Sequence, residues 1–121
     1  MKKILLIDDL RNFKPEIELE GELIVTRTSA EALAYLEANP DAEFASIWFD
    51  HDLGMPTEDV IDTTMPVLDH LAYKAFTGAP VDVEMVYVHT SNRVGRDQIV
   101  ASLTNYGYRN RKVDASAYFY V

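Results

Sequence analysis

The stretch Phe44-Ala45-Ser46-Ile47-Trp48-Phe49-Asp50-His51-Asp52-Leu53-Gly54 decides how this chain is read. Its first half is apolar at almost every position, which suits a strand buried on both faces, as in a parallel sheet. Its second half turns abruptly polar, so that strand ends at Phe49. Runs of the same character lie on either side. Lys3 to Ile7 is closed by Asp8-Asp9, Leu23 to Thr26 runs into Arg27-Thr28, and Val83 to Val88 is closed by His89-Thr90-Ser91-Asn92. Lys112-Val113 is a shorter fifth candidate.

Helical signals fall between these runs. A helix is expected from Ser29, with Leu33, Leu36 and Ala38 on one face and Asn39-Pro40 as its stop. Thr64 caps a second, with Pro66 in the first turn, where its missing N–H costs nothing, and Leu68, Leu71, Ala72, Ala75 and Phe76 as a helical stripe. Asn92 or Ser91 caps a third, turning Ile99, Val100, Leu103 and Tyr106 inward and ending at Gly107. Residues 10 to 21 resist assignment. Pro15 and Gly21 flank Glu16-Ile17-Glu18-Leu19-Glu20, whose period of two fits a loop, a short edge strand or a weak helix. Strands that alternate with helices predict an α/β fold over residues 1–121 as a single domain. The expected architecture is a three-layer sandwich: a mostly parallel sheet of about five strands, helices on both faces and a reduced first helix.

Composition narrows the function classes. The 121 residues are 48% hydrophobic and 26% charged, enough apolar material for a real core. No apolar run approaches the ~20 residues that span a bilayer. The basic-then-apolar start runs straight into Asp8-Asp9 with no small-residue cleavage site, so a signal peptide is not expected. Without cysteine there is no disulfide or thiolate chemistry, and a cytoplasmic location is expected. A net charge of −9 argues against tracking along duplex DNA, which needs a basic surface, but not against one phosphate held by a few arginines.

In open parallel sheets, ligands bind outside the carboxyl ends of the strands. Here those ends collect Asp8, Asp9 and Arg11, then Arg27, then Asp50, His51 and Asp52, then His89, Thr90, Ser91 and Asn92. A lone aspartate after a strand is usually a cap or a solvated loop residue. Asp8, Asp9 and Asp50 on adjacent strand ends would repel one another, which raises a pKa or demands a cation. Oxygen ligands of that kind suit Mg²⁺ or Mn²⁺. His51 and His89 beside carboxylates are candidates for acid and base work, because a carboxylate orients an imidazole and lifts its pKa. The segment Thr90 to Arg96 adds hydroxyls, an amide and a helix N-terminus for an anion. Gly95 would let a phosphate approach the backbone there, and Arg11, Arg27, Arg93 or Arg96 could add charge. In an extended strand Asp50 and Asp52 share a face with His51 opposite, and the sequence leaves open which aspartate meets the ligand.

Lys3 to Asp9 resembles the opening of response-regulator receiver domains, and Asp52-Leu53-Gly54-Met55-Pro56 resembles their phosphoacceptor segment. Thr90 or Ser91 matches the receiver's switch hydroxyl. Receivers, however, carry a full helix after the first strand and a lysine followed by proline after the last; Lys112 has no such proline. A closer resemblance is to the cyclic-phosphate-processing receiver-like family of bacteria and their phages. Its hallmarks match Asp8-Asp9 with Arg11, Phe49 to Gly54, and His89-Thr90-Ser91-Asn92 followed by Gly95.

That resemblance implies a phosphoesterase acting on a cyclic phosphate or related phosphodiester, at a nucleotide or an RNA terminus. His51 and His89 would share the acid and base roles, with Asp50 and Asp52 orienting an imidazole or holding a metal. Arg11, Arg27, Thr90, Ser91, Asn92 and Gly95 would bind the substrate. The alternatives are a phospho-accepting receiver and a non-catalytic binding module. The second would meet a protein partner through the aromatic tail Tyr118 to Val121, in the manner of a small phage protein occupying a host factor.

Overall fold

The computed structural model describes residues 1–55 and 57–121; Pro56, part of the receiver-like Met-Pro signal, lies outside them. Each apolar run becomes a strand: β1 (Lys3–Ile7), β3 (Glu22–Thr26), β4 (Glu43–Phe49) and β5 (Asp82–Val88), joined at the edge by β6 (Asn110–Lys112). They form one parallel sheet in the order β3-β1-β4-β5-β6. Between them run α1 (Ser29–Ala38), α2 (Met65–Phe76) and α3 (Arg93–Asn105). The N-caps of α1 and α3 are conventional. Thr28 Oγ1 accepts from Glu31 N in α1, and Asn92 Oδ1 accepts from Gly95 N in α3. Thr64 precedes α2 without a side-chain cap bond, and Pro66 occupies its first turn.

Strand order fixes which face each connection covers. From β3 through β4 and β5 to β6 the chain always advances in one direction, so right-handed crossovers place all three helices on one face. Beneath them Ala32, Leu36, Leu68, Leu71, Ile99 and Leu103 pack on Leu5, Ile7, Ile47, Phe49, Val86 and Val88 of the sheet. Only the step from β1 back to β3 runs the other way, and its connection falls on the opposite face. That connection contains no helix. It carries β2 (Asn12–Phe13), paired antiparallel with β7 (Phe119–Tyr120) from the C-terminal segment.

The five-stranded parallel sheet and the reduced first connection are as expected, but helices on both faces give way to helices on one. The third layer exists, but a short ribbon and the tail build it. Its cluster joins Ile4, Leu6, Phe13, Trp48 and Phe119, with Phe13 and Phe119 rings 4.6 Å apart and Trp48 stacked 4.2 Å from Tyr87. Five residues between Pro15 and Gly21 offer no helical stripe, so aromatic side chains cover the apolar face in place of a helix. Two stripe residues also turn outward: Phe76 is 80% exposed and Tyr106 37%. Tyr108 takes the inward role instead, its hydroxyl donating to Leu71 O at 2.7 Å. No helix among the described residues is long and apolar enough to cross a membrane.

Candidate active site at the carboxyl edge of the sheet

The ladder continues one residue past the strands. Asp50 N donates to Ile7 O at 3.1 Å, and His89 N donates to Phe49 O at 3.0 Å. Asp8, Asp50 and His89 therefore stand side by side at one level. Alternation puts them on the face of Leu6, Trp48 and Tyr87, toward the ribbon. All three are buried, at 1%, 8% and 1% exposure. Asp8 Oδ1 accepts from the amides of Leu10 and Arg11 at 3.0 and 2.8 Å, and Asp8 Oδ2 lies 3.0 Å from His89 Nε2. Burial pushes the Asp8 carboxyl up, but the bonds from His89 and from the amides of Arg11 and Leu10 outweigh it. The result is a fall from 3.8 to about 2.

With Nε2 committed to Asp8, His89 Nδ1 is buried without a partner among the described residues. The Phe119 ring lies 4.5 Å from the imidazole. Arg11 Nη1 sits 3.5 Å from an oxygen of Asp8 and 3.5 Å from one of Asp50, so a guanidinium bridges the two carboxylates. Asp9 stands apart from this group. Burial, then the charges of Asp8 and Asp50, raise its pKa.

His51 points the other way, toward the helical face. Its Nδ1 lies 2.9 Å from Asp52 Oδ1, and Asn92 Nδ2 donates to Asp52 Oδ2 at 3.2 Å. The ring lies against Gly95 in the first turn of α3, where a Cβ would sit 2.5 Å from both Cγ and Cδ2. Gly95 thus makes room for an imidazole, in the space the sequence reading assigned to a phosphate. The segment that carries Asp52 is pinned from behind. Leu53 N donates to Asp62 O, Asp62 N to Gly54 O and Thr64 N to His51 O, at 3.0, 2.8 and 2.9 Å. Asp50 and Asp52 consequently serve different partners: Asp50 faces Arg11 and Asp8, and Asp52 holds His51.

Arg27, also expected at the ligand, does structural work here. Arg27 donates to the carbonyl oxygens of Asp8 and Arg11 at 3.2 and 2.6 Å, and to Asn12 Oδ1. Its fork holds the segment that presents Arg11. Thr90 Oγ1 accepts from Asn92 N at 3.2 Å, and Ser91 is exposed. Lys112 has its Nζ 3.9 Å from Asp97, and the cation beside the acids is Arg11. A cleft of about 370 Å³ opens beside His89, lined by Arg11, Thr90, Ser91, Arg96, Val113, Asp114 and Ala115. The tail's part in this cleft is absent from the sequence reading, since no local pattern ties residues 113–119 to His89.

One donor atom each from Asp8, Asp50 and His89 lies within 4.8 Å of the others, so these three could hold a divalent ion. The set differs from the expected Asp8, Asp9 and Asp50 by exchanging a carboxylate for an imidazole. An imidazole donor moves the preference from Mg²⁺ toward Mn²⁺ or a later transition metal. Arg11 would have to yield its bridging place to such an ion.

A parallel sheet in the order second-first-third-fourth-fifth, with acids at the switch point between β1 and β4, defines a receiver-like α/β domain. The family model described as cyclic-phosphate processing Receiver domain matches residues 3–105, and the chain belongs to that family. No curated protein and no solved structure matches it. The matched stretch ends with α3, so β6 and the tail lie beyond it.

Proposed function

We propose that this domain is a phosphoesterase that opens a cyclic phosphate, of the 2′,3′ kind found on nucleotides and RNA ends. The observation that carries this reading is a pair of carboxylate–imidazole dyads at neighbouring strand ends. Asp8 holds His89 through Nε2, and Asp52 holds His51 through Nδ1. In each, one ring nitrogen is anchored and the other is left for a proton. Arg11, fixed between Asp8 and Asp50, supplies positive charge beside them.

Ring opening uses one proton acceptor and one proton donor, roles these two imidazoles would divide at the carboxyl edge, where the two faces of the sheet meet. A water oxygen forms the new P–O bond while one ring P–O bond breaks. A neutral imidazole takes the water proton, and a protonated imidazole gives one to the departing ribose oxygen, leaving a phosphomonoester. Arg11 stabilises the charge gathering on the phosphoryl oxygens. A divalent ion on Asp8, Asp50 and His89, when bound, would supply Lewis-acid stabilisation of that same charge.

The test is incubation with 2′,3′-cyclic nucleotides, with and without Mn²⁺ or Mg²⁺, and separation of the phosphomonoester products. Turnover is expected to fall by about 10²–10⁴-fold in His51→Ala and in His89→Ala, the usual loss for one general acid or base. Turnover that survives both substitutions unchanged would remove the assignment.

A further inference from the structure

We infer that the C-terminal segment, outside the stretch the family model matches, completes the ligand site. In this arrangement Arg96 and Arg11 grip a phosphoryl group in the cleft walled by Val113 and Ala115. The inference rests on the reading that this edge takes a phosphorylated ligand, and it names the seat and the residues that hold it. Four observations support it.

First, the cleft brings together two guanidinium groups and the hydroxyls of Thr90 and Ser91, with His89 in its wall, in a chain of net charge −9. Second, Arg96 has a spare donor: its Nε is buried without a hydrogen-bond partner among the described residues. Arg11 Nη1 is taken up between Asp8 and Asp50, so Arg11 adds charge to the cleft from the edge of that bridge. The acid nearest Arg96, Asp97, is 3.7 Å from Nε, beyond hydrogen-bonding reach, and is 66% exposed. Third, the acid that lines the cleft is occupied elsewhere: Asp114 Oδ1 accepts from Ser116 N and Oγ at 2.9 and 2.8 Å. Fourth, the wall is built in place. Phe119 packs on His89, and β7 clips the tail to Asn12–Phe13, directly after Arg11.

Size fits one terminal unit. Ligand pockets run from ~300 to ~1,000 Å³, and about 370 Å³ is at the small end. A single phosphorylated sugar or nucleotide is the ligand class, and a duplex is not.

The test is titration of the full chain with 2′,3′-cyclic AMP and, separately, inorganic phosphate, followed by NMR of arginine Nε–H and backbone amide signals. Saturable shifts are expected at Arg96 Nε–H and at residues 90–91 and 113–115. Arg96→Ala and Arg96→Gln should each weaken binding by about 10-fold or more, the usual loss for one charge-assisted hydrogen bond. Arg93→Ala, an exposed arginine on the same turn, should lose far less. Placing charge on the wall gives effects of opposite sign that a folding defect would not produce: Ala115→Lys should tighten binding and Ala115→Glu should weaken it. Equal losses from Arg93→Ala and Arg96→Ala, or the same sign for both Ala115 variants, would overturn the inference. Binding at Arg96 without turnover would sink the phosphoesterase reading and leave this site standing. Turnover with a KM indifferent to Arg96 would do the reverse.

Discussion

Replacing Gly95 by alanine pits two effects of known size against each other. Gly95 is the third residue of α3, and a helical glycine ordinarily costs up to ~1 kcal/mol relative to alanine. The exchange should therefore stabilise the helix. Against that, the new Cβ would lie 2.5 Å from Cγ and Cδ2 of His51, where ordinary contact is 3.4–4 Å. The imidazole would have to retreat by about an ångström, and overpacking of this kind costs ~1–3 kcal/mol. Leaving Asp52 adds little, because that carboxylate is 58% exposed and its pairing is screened. The net expectation is a loss of about 1 kcal/mol, with His51 displaced. In a His51→Ala background the obstacle is gone, and the same substitution should stabilise by up to ~1 kcal/mol. The coupling between the two sites is then about 2 kcal/mol, well outside the additivity expected of independent positions. Urea denaturation of the four proteins measures it. Gly95→Ala stabilising both backgrounds equally would refute the packing argument, and with it the physical reason for glycine at this place.

Other perturbations follow from the same geometry. The Asp8 carboxyl, held at about 2 against 3.8 in the unfolded chain, adds about 2 kcal/mol of stability that is present above pH ~4 and lost as pH falls toward ~2. The stability gap between the wild type and Asp8→Asn should therefore shrink over that window, and a gap in urea midpoints that stays constant from pH 7 to pH 3 would contradict it. Phe119→Ala removes a ring that is 5% exposed and packed on Phe13, Trp48 and His89, so a cost of ~3–5 kcal/mol is expected. Tyr120→Ala, at 49% exposure, should stay within ~1 kcal/mol, and comparable losses for the two would argue against the tail as a structural layer.

The same observations bear on the alternatives. A phospho-accepting receiver needs a cation near its acceptor aspartate. Arg11 takes that place beside Asp50, while the side chain of Lys112 turns to Asp97. A binding module that presents an apolar tail needs that tail outward. Phe119 is folded inward against the sheet, although Tyr120 and Val121 remain exposed.

Much of this domain could be read from its sequence because the deciding signals are local. A strand buried on both faces is apolar almost throughout, so Lys3 to Ile7 and Phe44 to Phe49 announce themselves, and Val83 to Val88 does so apart from its exposed Glu84. Parallel pairing then brings their ends to one edge, and Asp8, Asp50 and His89 with them. What local signals could not carry is the direction in which each connection crosses the sheet. That direction put α1, α2 and α3 on one face and left the other to residues 12–13 and 119–120, which pair across most of the chain.

The fine geometry of the site was decided there too. His89 meets Asp8 across 81 positions, the His51 ring settles on Gly95, and Arg27 is drawn to backbone carbonyls and away from any ligand. Sequence determined which chemical groups reach the edge, because strand periodicity is a property of neighbouring residues. Only the tertiary structure decided which group faces which, because those contacts depend on handedness, register and packing between distant segments.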